Sequence, residues 1–429
     1  MKYLCIITSI VLAIQFFLKT KRIYNPGTLF LGYWCIITFL ASLRLDNAPA
    51  IQQTTYAFIL MGLVSFGVGC FCCLFTHHKV KNNMIYDMKI KDYKLLNIAC
   101  VIIIIYSVYR LGIIASYLSR GFSWGSIRLM HGVAGVSGEG TLKGGNWSQF
   151  IHDDFVAPCV YLIAPVFAVE LFLGNRNKQF LILALTSITL YSISSVSRAV
   201  WGFLILYFIV ILLMFFKENK VSYKVKKWLK RIPLFAALLF VVIIIITKAR
   251  SETSEANLLY NMLAYLSGGI TLFDLHLNEP IADIRTYGFF SLYGFLYPVF
   301  FVLNYLGIKF PPVFGDINYI KQQLEIFVPI SDHVTMNAYS TLFFNFYNDF
   351  GLFGIFLGSF LFGYFCMLSY MYFIKKKNMR TLVCYLILIQ FMIFSMARIY
   401  TIYTTRALSL IWLLILLPKD DGIKIKLKK

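Results

Sequence analysis

The chain has 429 residues, 59% hydrophobic, 17% aromatic and only 14% charged, with a mean hydropathy of +0.73. A water-soluble domain cannot hide that much apolar surface, so the class is all-α, a polytopic integral membrane helix bundle. The formal charge of +21 sits in short links between apolar runs, and with no compact basic domain it speaks against nucleic acid.

The first apolar run, 3–18, is followed by Lys19, Lys21 and Arg22 and by no small-residue cleavage site, so it reads as a retained helix and not a signal peptide. Further spans are expected at 27–43, 55–75, 95–118, 155–173, 180–195, 199–216, 232–247, 350–373, 381–396 and 407–417, about eleven in all. The run 180–216 is too long for one crossing and is divided at the polar knot Ser194-Ser195-Val196-Ser197-Arg198. All nine cysteines lie inside apolar runs, which argues against a disulfide framework or a cysteine metal centre.

Taking alternate links, one side collects 26 of the 40 Lys and Arg residues, including the tail after 417; this side is cytoplasmic, with the amino terminus out and the carboxyl terminus in. That side has 22 Lys and 4 Arg, whereas the outer and embedded positions have 5 Lys and 9 Arg. Guanidinium forks suit phosphate oxygens and sugar hydroxyls and stay charged when desolvated, so the bias points to an anionic or polyhydroxyl ligand outside.

The chain divides into an amino-terminal bundle (1–247) with an outer loop at 119–154, a large outer interval (248–348), and a carboxyl-terminal bundle (349–429). The loop at 119–154 holds Trp124, Arg128, His131, several glycines, Trp147, His152, Asp153 and Asp154. In the large interval, 257–277 reads as an amphipathic helix broken at Gly268-Gly269, and 289–306 as an apolar segment. Both are expected as in-plane or re-entrant helices over the outer mouth.

No nucleotide loop, HExxH, DxD, paired CxxC or GxSxG pattern is present, so no cofactor and no metal ligands are predicted. What remains is a set of arginines, histidines and carboxylates near one face. Arg198, Arg250, Arg285, His276, His333 and Asp349 are the catalytic candidates, and Asp274, Asn337, Tyr339, Arg398 and Arg406 the substrate-binding ones. Arg198 sits in a turn between two spans, and Arg398 and Arg406 in another short outer turn.

The run Ser194-Ser195-Val196-Ser197-Arg198 entering an apolar helix resembles part of the Wzy-type O-antigen polymerases, the oligosaccharide repeat unit polymerases. So do Tyr265-Leu266-Ser267-Gly268-Gly269 followed by Asp274, and Asn337-Ala338-Tyr339-Ser340 running on to Asp349-Phe350-Gly351. The resemblance implies a glycosyltransferase of the bacterial inner membrane that joins repeat units carried on undecaprenyl pyrophosphate at the periplasmic face. It also implies functional arginines on outer loops, and a chain-length regulator and a flippase as partners in the same pathway. Departing pyrophosphate develops negative charge that preorganised guanidiniums stabilise, and His276, His333 or Asp349 takes the acceptor proton. A lipid-linked O-antigen ligase and a lipid-linked oligosaccharide flippase are the alternatives.

Overall fold

The computed structural model describes residues 1–44, 47–76, 88–124, 126–127, 145–216, 227, 229–235, 237–238, 240–241 and 258–417. Within these the regular structure is helical, apart from one antiparallel pair of two-residue strands, β1 (Val328–Pro329) with β2 (Thr335–Met336). The helices are α1 (Lys2–Thr20), α2 (Pro26–Ser42), α3 (Gln53–Thr76), α4 (Lys94–Ser119), α5 (Gly145–Ile151), α6 (Ala157–Phe172), α7 (Lys178–Ser194) and α8 (Ala199–Phe215). They are followed by α9 (Leu258–His276), α10 (Tyr293–Tyr305), α11 (Val313–Leu324), α12 (Thr341–Lys376), α13 (Met379–Ile393) and α14 (Thr404–Leu416). Six helical stretches are long and apolar enough to cross a bilayer, and α2, α7, α8 and α14 are shorter apolar helices. The expected span at 232–247 lies mostly outside the described residues.

At the centre stands α6. Every side chain from Ala157 to Phe172 except Leu171 is buried, because α4, α7, α8, α13 and α14 surround it. A single π-turn, His152–Val156, joins α5 to α6, so the last residues of the expected loop at 119–154 are helix. Pro158 explains the turn. It has no N–H to give the carbonyl four residues back, Asp154 O, and its ring crowds that carbonyl. Trp412 Nε1 from α14 supplies the missing donor at 2.9 Å.

One helix doubles back. Phe343 and Tyr347 of α12 lie against Gly62 and Phe58 of α3, so residues 341–349 run antiparallel to α3. Non-helical angles at Phe350 and Gly351 (φ 63, ψ −141) then reverse the chain. Gly354 and Gly358 return against Phe346, and further on Gly363 meets Phe66 and Gly69 meets Phe360, so 352–376 descends beside α3 in its own direction. Gly351 has angles closed to any side chain, which makes it the residue that allows the reversal.

The last two helices form one interrupted rod. Phe203 and Phe208 of α8 meet Tyr161 and Phe172 of α6, so α6 and α8 are parallel. Gln390 of α13 and Phe394 just past its end meet Tyr207 and Phe203, so α13 runs against both. In α14, Arg406 lies over Tyr161 and Trp412 meets Asp154 and Phe155, so α14 also runs against α6. Thus α13 and α14 point the same way across a ten-residue break, 394–403. This corrects the expectation of two opposed crossings joined by an outer turn with Arg398 and Arg406 in it.

The interval 258–348 is woven into the bundle. Helix α9 packs on α2, α3 and α12 and passes unbroken through Gly268-Gly269, contrary to the expected break. The pair serves close approach instead: a Cβ on Gly269 would lie 2.2 Å from Met396 O. Helix α10 covers 13 residues, about 20 Å, which is short of a bilayer crossing.

Candidate functional site

Residues 341–349, the first arm of α12, carry a different segment on each flank. On one flank lies the stretch from His276 to Ser291. The His276 ring sits 5.7 Å from that of Phe344, Asn348 Nδ2 donates to Ile281 O at 3.1 Å, and the Arg285 guanidinium lies 4.8 Å over Tyr347. Phe344 and Tyr347 are three residues apart and therefore neighbours on one helix face. His276 and Arg285, nine residues apart in the chain, are thereby held against neighbouring rings of the arm.

Asp349 anchors this segment. Its carboxylate accepts from Thr286 Oγ1 (2.6 Å) and from the N–H groups of Gly288 (3.1 Å), Phe290 (3.1 Å) and Ser291 (3.2 Å). Three of these bonds converge on Oδ1 and one reaches Oδ2, so most of the roughly four acceptor sites of a carboxylate are in use. Asp349, expected as a candidate base, is placed by the structure as the anchor of the loop that presents Arg285.

Arg285 is half-buried. Its Nη1 donates to Ala282 O and to Ile284 O, the latter at 3.1 Å. Nε and Nη2 have no acceptor among the described residues, and they face the reversal, 3.7 and 3.9 Å from where a Cβ on Gly351 would stand. A fork fixed at one corner and open on its other edge suits a phosphate oxygen pair. His276 is 2% exposed, and its Nδ1 lies 2.7 Å from Glu279 Oε2. Its Nε2 has no hydrogen-bond partner among the described residues, so a carboxylate orients the imidazole and leaves the other ring nitrogen available.

The other flank of the arm holds the break between α13 and α14. Ala397 O accepts from Ser340 N (2.7 Å) and Thr341 N (2.8 Å), and Ile399 N donates to Asn345 Oδ1 at 2.9 Å. Arg398, 2% exposed, donates from Nε to Ala338 O at 2.7 Å and from Nη2 to Glu325 Oε1 at 3.2 Å. Asn337 Nδ2 donates to Glu325 O at 2.9 Å. Arg398 and Asn337, expected on substrate, clamp the loop that carries Tyr339.

That loop is strained. Ala338 and Thr341 have φ of 63° and 66°, and Val196 in the turn before Arg198 has 47°. Thr and Val are β-branched, for which a positive φ is a genuine outlier that only surrounding structure maintains. Tyr339 lies near both Arg198 and Arg398. Burial, aided by Tyr265 and Tyr403, pushes its phenol up to about 12 while the two guanidiniums act in the opposite sense. It is therefore a neutral hydrogen-bonding group. Arg406 stands in a box of rings, its Cζ 3.1 Å from the Tyr161 centroid and 4.9 and 5.5 Å from those of Phe203 and Tyr400.

The remaining candidates fall elsewhere. Asp274 accepts from Gln52 N at 3.1 Å and from Thr55 Oγ1, which makes it a cap for the start of α3 and not a ligand-facing group. His333 is exposed in the turn between β1 and β2. Arg250, Arg128 and His131 lie outside the described residues. Glu279, Asn345 and Asn348 were missed by sequence reasoning. Only Glu279 left a signal there, its spacing of three from His276.

The chain thus has the architecture of an all-helical bundle with several apolar, membrane-crossing helices and broken segments meeting at its interior. Compared with protein-family models, with curated proteins and with solved structures, it matches none.

Proposed function

We propose that this chain is an integral-membrane glycosyltransferase that polymerises oligosaccharide repeat units carried on undecaprenyl pyrophosphate, en bloc, at the outer face of a bacterial inner membrane. The observation that carries the reading is the mounting of His276 and Arg285 on one face of the α12 arm, a base and an anion-binding fork on the same platform. The resemblance of the segments around Arg198, Tyr265 and Tyr339 supports the substrate class.

In this mechanism an acceptor hydroxyl on the new unit attacks the anomeric carbon of the growing chain. The bond from that carbon to the pyrophosphate oxygen breaks, and its electron pair leaves with the diphosphate. Arg285 Nε and Nη2 receive the developing charge in a partly desolvated setting, where such contacts are strongest. His276 Nε2 takes the hydroxyl proton while Glu279 stabilises the imidazolium that forms. Arg198 and Arg406 near the helix break, together with Tyr339, bind the saccharide and its diphosphate, and the chain-length regulator and flippase of the pathway act beside it.

Interrupted helices whose ends meet inside a bundle are also a device of transporters, so the α13–α14 break favours the flippase as second reading. One gel separates the readings. In a host whose native gene is deleted, Arg285→Ala is expected to leave lipopolysaccharide with one repeat unit on its core. An unchanged ladder overturns the proposal. Unsubstituted core with polymer left on the carrier lipid indicates a ligase, and unsubstituted core with single units trapped on the cytoplasmic side indicates a flippase.

A further inference from the structure

A second polar centre lies at the π-turn, away from the α12 arm. Asp154 is 4% exposed, and neither of its carboxylate oxygens has a hydrogen-bond partner among the described residues. Its backbone carbonyl is already occupied by Trp412 Nε1, so the turn is held in place independently of the side chain. Buried carboxylates are normally paired or hydrogen-bonded, and one without a donor points to a ligand that brings donors. π-turns inside long helices recur at functional sites.

The surroundings indicate the ligand class. Phe150, one turn before Asp154, stacks at 4.6 Å on Phe301 of α10, and Asp153 and Asp154 lie close enough to Tyr293 and Tyr297 of that helix to act on them electrostatically, so the π-turn lies alongside α10. Two turns earlier, about 10 Å along the helix, Trp147 stands with its ring 4.7 Å from that of Tyr305, and each of these residues is 54% exposed. An open shelf of two aromatic rings leading to a buried acceptor without donors is complementary to a sugar: an apolar ring face for stacking and hydroxyl groups for the carboxylate.

We propose that Asp154, with the Trp147 and Tyr305 shelf, forms the subsite for the acceptor saccharide and is a specificity-determining residue of the transfer. This rests on the polymerase reading, which needs two saccharides held at once and assigns the diphosphate of the first to Arg285. The Asp154 carboxylate accepts hydrogen bonds from two hydroxyls of the incoming unit, and the shelf fixes its ring plane.

The test is a binding titration of the full-length protein in lipid nanodiscs. The probe is the repeat-unit oligosaccharide released from its lipid and diphosphate, and the readout is tryptophan fluorescence, since Trp147 and Trp412 flank the site. A saturable change is expected, with affinity at least about tenfold weaker in Asp154→Asn. Because that variant replaces a buried carboxylate that has no donor among the described residues, it is expected to fold at least as well as the parent. Trp147→Ala, at an exposed position, weakens binding without touching the core. Binding by Asp154→Asn equal to the parent, or no saturable signal in the parent, overturns the subsite. If binding depends on Asp154 yet no polymer ladder forms from lipid-linked units, the polymerase reading falls and the saccharide site stands. An effect of Trp147→Ala on membrane insertion alone, with affinity unchanged, reduces the shelf to an interfacial anchor and overturns its part of the proposal.

Discussion

Arg285 offers the sharpest test of chemistry at the scale of single residues. Lysine keeps the charge but is a point donor on a flexible stem, and it cannot keep one edge on Ala282 and Ile284 while presenting another to a phosphate. Arg285→Lys is expected to lower polymer yield at least about tenfold, measured as ladder intensity at equal protein level. Glu279→Gln is expected to slow transfer without altering insertion, because it removes the carboxylate that orients His276 and stabilises its protonated form. A full-rate Glu279→Gln enzyme would show that the pair is merely structural. Asp349→Asn replaces an acceptor of four hydrogen bonds by a group half of which donates. A loss of about 1.5–3 kcal/mol in loop stability follows from losing a charged acceptor, read as faster proteolysis near 286–291.

His276 and Glu279 show how far the chain alone could be read. Their spacing of three is visible in the sequence, and only the pairing had to be seen. Asp349 is the opposite case: its donors lie about sixty positions earlier in the chain, so nothing local separates a base from an anchor. Asp274 likewise owes its capping role to Gln52 and Thr55, which no pattern around residue 274 reveals.

Two elements depart from simple spans, each for a backbone reason. The α12 reversal needs the Gly351 angles. Gly351→Ala is expected to cost more than about 1 kcal/mol, since alanine at this positive φ is strained, and to abolish activity by releasing the arm that carries both His276 and Arg285. Thermal unfolding in detergent measures the first effect and the ladder the second; an alanine variant with parental stability and activity would show that the reversal is unimportant. The break between α13 and α14 places main-chain groups at depth in an apolar bundle, where they must be satisfied internally. Ser340, Thr341 and Asn345 on the α12 arm supply those partners. The apolar period in 381–396 and 407–417 is visible in sequence, but the direction of the second helix is not, because an interrupted rod and a hairpin have the same composition.

Taken across the whole molecule, the prediction concerns sidedness. Since α13 and α14 run the same way, residues at their far ends emerge on opposite faces. Cysteines placed at Asn378 and Leu417 in a cysteine-free background are expected to react with an impermeant maleimide from opposite sides of the membrane. Labelling of both from one side would restore the hairpin and the cytoplasmic tail that the lysine distribution suggested.

By itself the sequence determined the class: apolar runs of crossing length, divided by basic links, have no stable home except a bilayer, and they form helices because every backbone group must be satisfied within its own segment. It also marked the segments around Arg198, Arg285, Tyr339 and Arg398 as the ones worth watching. Only the tertiary structure decided what each does. Whether a carboxylate anchors, caps or awaits a ligand depends on which donors reach it, and for Asp349, Asp274 and Asp154 the donors, or their absence, come from helices brought together by folding.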